Sequence, residues 1–63
     1  RVDELYLNGL EAYARGELAE AIRFWEDALQ IDPKFLPARE HIETAMKLLE
    51  LQQKMEEQLK IGQ

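Results

Sequence analysis

Apolar residues along this chain recur at intervals of three and four rather than two, which is the helical period. A first helix is predicted over about Val2 to Arg15, with Val2, Leu5, Gly9, Ala12 and Tyr13 on one side. Glu11 and Arg15 stand at the i to i+4 spacing that favours an ion pair along a helix. Gly16 then stops it, because glycine takes the left-handed conformation that closes a helix end at no side-chain cost. A second helix is predicted over Leu18 to Ile31. Leu18, Ala21, Ile22, Trp25, Ala28 and Leu29 form its apolar face, and Glu20, Arg23, Glu26 and Asp27 turn to water. Asp32 and Pro33 end it, since proline lacks the donor a helix interior needs and pushes its predecessor out of the helical region.

Pro37 fits the first turn of a third helix that continues to about Lys60, nearly twice the length of the others. That helix carries two apolar stripes. Ala38, Ile42, Ala45 and Leu49 share the face expected to pack on the preceding pair. Leu48, Leu51, Met55 and Leu59 form a second stripe about a quarter turn away. Glu43 with Lys47, Glu50 with Lys54 and Glu56 with Lys60 are acid-before-base pairs at i to i+4. They favour helix to the end, while the polar run Gln52, Gln53, Glu56, Glu57, Gln58 leaves open a frayed tail beyond Gln52. If the tail is helical, its exposed stripe predicts docking on a partner helix or on another copy. The run is too short, and too interrupted by Gln58, for a long supercoil.

The expected class is therefore all-α, with a helical hairpin over residues 2–35 and a long third helix over residues 36–61. Leu5, Gly9, Ala21, Trp25 and Pro33, with Gly16 at the turn and an Ala28-Leu29-Gln30-Ile31-Asp32-Pro33 ending, resemble one tetratricopeptide repeat. That family repeats about every 34 residues. Asn8 stands where leucine is usual. Ala12 stands where tyrosine is usual, with Tyr13 one position later; Gly9 and Ala21 are small where the two antiparallel helices are expected to cross closely, and the larger Trp25 is expected to fill the space Ala12 leaves. Glu43 occupies the place of a second repeat's glycine, so the third helix is expected to be a cap rather than a new repeat.

The resemblance implies a protein-binding module whose concave face is lined by the first helix. That places Asp3, Tyr6, Leu10, Tyr13 and Ala14 there, an apolar and aromatic face suited to an amphipathic helix. Tyr6 and Tyr13 are equally open to a packing role. Tyr6 and Leu10 stand where some members carry a lysine and asparagine that grip a peptide carboxylate, so that clamp is not expected.

Size and charge narrow the picture further. A chain of 63 residues without cysteine buries a small core and has no disulfide to support it, which favours oligomerisation or continuation into a longer protein. Beginning at Arg1 and not at methionine, it is expected to be processed or cut from a longer protein. A net charge of -5 with scattered basic residues disfavours nucleic acid. Apolar runs are far short of a membrane span. The lack of cysteine suits a cytoplasmic or a periplasmic location alike.

No catalytic, cofactor or metal site is expected. Serine and cysteine are missing, Thr44 is the only aliphatic hydroxyl, and His41 is the only imidazole. His41 is expected to be a surface or capping-region residue near the start of the third helix. The expected protein-binding residues are Tyr6, Leu10 and Tyr13 with Leu48, Leu51, Met55 and Leu59. The expected partner is a protein or peptide, foremost a second copy in a homo-oligomer; the alternative is a terminal repeat and cap of a longer scaffold.

Overall fold

The computed structural model describes residues 1–61, with side chains through Leu59. Its elements are α1 (Val2–Ala14), α2 (Leu18–Ile31) and α3 (Leu36–Ile61). The first two form an antiparallel hairpin, and α3 packs back along α2.

Each boundary has a local cause. At the α1 end, Gly16 has φ of 81°, the left-handed region. The Glu17 N–H donates to the Ala12 carbonyl oxygen (2.9 Å) and the Gly16 N–H to that of Tyr13 (3.0 Å), satisfying carbonyls that the helix itself leaves unpaired. At the α2 end, Asp32 is extended (φ -136°, ψ 92°), as a residue before proline must be. Its side-chain Oδ1 accepts from the Lys34 N–H at 3.2 Å, and its carbonyl accepts from the Phe35 N–H at 3.1 Å. Asp32 to Phe35 is thus a tight turn with aspartate first and proline second, the order such turns favour.

The core is built mostly from small residues. Ala12, Ala21, Ala28, Ala38 and Ala45 are fully buried, and among the described residues Trp25 is the only large side chain to be so. Small residues let the helices approach closely, and one indole fills the space where they meet. Ile42 and Leu49 pack against this cluster from α3, so the first stripe of α3 faces the hairpin as expected.

α3 is a single helix through Ile61, without a break at Gln52. Its 26 residues span about 39 Å at about 1.5 Å each, against about 21 Å for the 14 residues of α2. The last turns of α3 therefore run on beyond the hairpin, giving the molecule a long axis of 46 Å.

The expected helix-surface ion pairs do not form at the described residues. Arg15 lies past the last residue of α1, so its guanidinium follows the turn and meets Glu17 (3.4 Å) instead of Glu11. Neither Glu43 with Lys47 nor Glu50 with Lys54 closes to pairing distance, because solvated charges at that spacing gain little by ordering both side chains. The Lys60 side chain lies outside the described residues.

Candidate functional site

Two sets of side chains were expected to bind partners, and the structure puts them in different surroundings. Tyr6, Leu10 and Tyr13 are half-buried and pack on the core cluster. Asp3 and Ala14 are exposed beside them.

Tyr6 belongs to an aromatic array that ties α1 to the start of α3. Its ring meets Phe35 edge-on (centroids 5.4 Å, 82°) and His41 edge-on (5.5 Å, 81°). His41 in turn lies 5.2 Å from the Trp25 ring, and Tyr13 closes the other side of Trp25 at 5.8 Å. Such offset and edge contacts align ring edges with ring faces and add to simple burial.

His41, expected at the surface or in the capping region of α3, is half-buried between Tyr6 and Trp25. The first turns of α3 pass beside α1, a placement that spacing within α3 alone does not reveal. His41 Nδ1 lies 2.9 Å from the Pro37 carbonyl oxygen. A carbonyl can only accept, so this nitrogen carries the proton, and the Tyr6 hydroxyl oxygen 3.4 Å away shares it as a longer acceptor.

Trp25 sits at the centre of the array. Its Nε1–H donates to the Tyr6 carbonyl oxygen at 3.1 Å, so the indole is anchored to the α1 backbone as well as buried. The small residue against which it lies is Gly9, since a Cβ there would stand 2.6 Å from Trp25 Cδ1. Gly9 is one of the two small residues expected where the helices cross closely, and Ala12, whose space Trp25 was expected to fill, is fully buried in the same cluster as the indole.

The second set is the exposed stripe of α3. Leu48, Leu51, Met55 and Leu59 are 40%, 56%, 57% and 68% exposed. Leu48, Leu51 and Met55, with Gly16, Leu18 and Gln52, line an open groove where α3 passes the α1–α2 turn. Leu59 lies further out, beyond the hairpin. On the other side of α3, Met46 and Leu49 border a second groove with Ala19 and Ile22.

The Thr44 hydroxyl donates to the Glu40 carbonyl oxygen one turn back (3.2 Å), so it is committed to the backbone and not to His41. Among the described residues there is no group of three or more His, Asp or Glu placed to hold a metal ion, and no helix long and apolar enough to cross a membrane.

Comparison with known proteins agrees with this architecture. A family model described as tetratricopeptide repeat matches residues 2–35, the hairpin together with the turn that follows it. A UPF0164 protein of Treponema pallidum (strain Nichols) is 52% identical over 50 residues, covering 79% of this chain and 10% of the relative. Another UPF0164 protein of the same organism is 44% identical over 54 residues, covering 86% of this chain and 13% of the relative. The chain thus spans about a tenth of the length of these curated relatives. No solved structure matches it.

Proposed function

The chain belongs to the tetratricopeptide repeat family, and from that premise we propose that it is a non-catalytic protein-interaction module that self-associates, with the exposed stripe of α3 as its principal contact. The observation that carries this reading is the alignment of Leu48, Leu51, Met55 and Leu59, each 40% exposed or more, on one side of a helix that outruns its own hairpin. Large apolar side chains exposed together in one row, rather than scattered singly, mark an interaction surface. The small core adds a motive: with Trp25 the only large, fully buried side chain among the described residues, the unit gains much from covering more apolar area.

The outward side of α1 supports placing the contact on α3. Asp3, Glu4, Asn8 and Glu11 are exposed there with Leu7, so that side is mostly polar. Tyr6, Leu10 and Tyr13, half-buried by the chain's own packing, form the secondary part of the surface.

Sedimentation equilibrium across low to high micromolar concentration tests the proposal. A mass rising with concentration toward twice that of the chain, or more, is expected. A clean monomer throughout would refute self-association.

The relatives' length favours a second reading, in which the unit is the terminal repeat and cap of a longer scaffold that holds an amphipathic helix of a partner protein. Under it, the stripe is already covered in the parent protein. Slow amide exchange across residues 48–59 in a monomeric parent would then replace the concentration dependence.

A further inference from the structure

Building on the self-association proposed above, we propose that Met55 is an oxidative modification site: a peroxide converts its thioether to the sulfoxide, and the modified stripe loosens its hold on a second copy. The chain has no cysteine, so its only sulfur atoms are those of Met46 and Met55. Both side chains are exposed, at 52% and 57%. Neither is shielded from a small oxidant by the chain's own packing.

What separates the two is their place on α3. At about 100° per residue, the steps from Met46 to Met55 amount to about two and a half turns, so the two side chains leave opposite sides of the helix. The grooves agree with this: Met55 borders the one that contains Leu48 and Leu51, and Met46 borders the other, with Ile22 and Leu49. A peroxide therefore meets both sulfurs with similar ease, while only one of them lies on the stripe.

In the reaction, the thioether sulfur attacks one peroxide oxygen. The S–O bond forms as the O–O bond breaks, sulfur gives up two electrons, and the departing hydroxide takes the remaining proton to leave as water. A flexible apolar side chain, suited to filling gaps between helices, becomes a polar one. Of the side chains that share its groove, Leu18, Leu48 and Leu51 have no donor, and the Gln52 amide is the single one that has. Covering the sulfoxide thus forfeits most of the hydrogen bonds that water gives its oxygen, which opposes the contact. The sulfoxide of Met46, on the far side of α3, stays in water and has no such consequence. Association in turn covers Met55 and slows its oxidation, while Met46 reacts as it does in the monomer.

The test treats three chains with hydrogen peroxide: the parent, Met46→Leu and Met55→Leu. Leucine replaces methionine at nearly the same volume, so each variant keeps one oxidisable sulfur. Mass spectrometry of proteolytic fragments locates the added oxygen, and sedimentation equilibrium reads association before and after. Met46→Leu, oxidised at Met55, should associate about tenfold more weakly or worse, whereas Met55→Leu, oxidised at Met46, should stay within about twofold of its unoxidised value. In the parent chain, Met55 should oxidise more slowly as protein concentration rises, with the rate at Met46 unchanged. Helical circular dichroism should be the same before and after treatment. If the untreated chain associates but the Met55 sulfoxide does not weaken it, or the Met46 sulfoxide weakens it equally, the site is wrong while self-association stands. Loss of helix on oxidation of Met55 would likewise overturn the site, placing the effect in folding. If the untreated chain is monomeric throughout, both the site and the reading beneath it fall.

Discussion

Trp25 occupies the space a side chain at position 9 would need: the missing Cβ of Gly9 would overlap Trp25 Nε1 and stand 2.6 Å from Cδ1. The indole has little freedom to retreat, being fully buried and donating to the Tyr6 carbonyl oxygen at 3.1 Å. Helix propensity favours alanine over glycine by about 1 kcal/mol. Forcing extra volume into a packed core costs about 1–3 kcal/mol, and here it falls on a ring anchored at both its face and its edge. Gly9→Ala is therefore expected to lower stability despite its better propensity, as measured by urea unfolding. Trp25→Ala should cost about 3–5 kcal/mol. A loss below about 1 kcal/mol would refute the core role of the indole. Trp25→Phe should relieve part of the Gly9→Ala penalty, so the two changes together should cost less than the sum of each alone.

This relationship shows what the sequence makes legible and what it leaves hidden. The period of apolar residues and the stops at Gly16 and Asp32-Pro33 define the three helices, because these are local signals; α2 runs Leu18–Ile31 as expected, and α1 stops one residue short of Arg15. The two stripes of α3 are likewise local, and their burial and exposure follow the spacing. What spacing does not contain is how one helix sits on another. The burial of His41 between Tyr6 and Trp25 and the turn of Arg15 toward Glu17 both depend on that placement.

Gly16 offers a test of the turn uncomplicated by packing. Its φ is 81°, and nothing lies within 4 Å of where a Cβ would stand. Any cost of Gly16→Ala therefore arises from the backbone, where a left-handed conformation costs a residue with a side chain about 1–2 kcal/mol. Asparagine tolerates that region better, so Gly16→Asn should be the milder change. In a domain this small, a loss of about 1 kcal/mol lowers the melting temperature by about 4–8 °C. Equal melting temperatures for all three chains would show that the turn does not hold this conformation in solution.

The contact of Tyr6 with His41 ties α1 to α3, which otherwise packs chiefly on α2. Tyr6→Phe keeps the ring against Phe35 and His41 and removes only a 3.4 Å contact of the hydroxyl, so it should cost well under about 1 kcal/mol. His41→Ala removes the ring between Tyr6 and Trp25 and should cost more. If the edge contact contributes as drawn, a cycle of Tyr6→Ala and His41→Ala should show a coupling of about 0.5–1.5 kcal/mol. Additivity of the two changes would mean that the rings do not stabilise each other.

The exposed stripe separates folding from association. Leu51 and Met55 are 56% and 57% exposed and contribute little to the chain's own core, yet they stand at the centre of the proposed contact. Glutamine forms helix almost as well as leucine or methionine. The combined change Leu51→Gln and Met55→Gln should therefore leave the helical circular dichroism signal of the hairpin intact. Each apolar side chain covered at an interface contributes on the order of 1 kcal/mol, and a symmetric pair of copies counts both residues twice. The dissociation constant should accordingly rise by at least a hundredfold, leaving a monomer at concentrations where the parent chain is associated. Loss of helix in step with loss of mass would show instead that α3 folds only when paired, making the contact part of the fold. Retained mass would remove Leu51 and Met55 from the interface altogether.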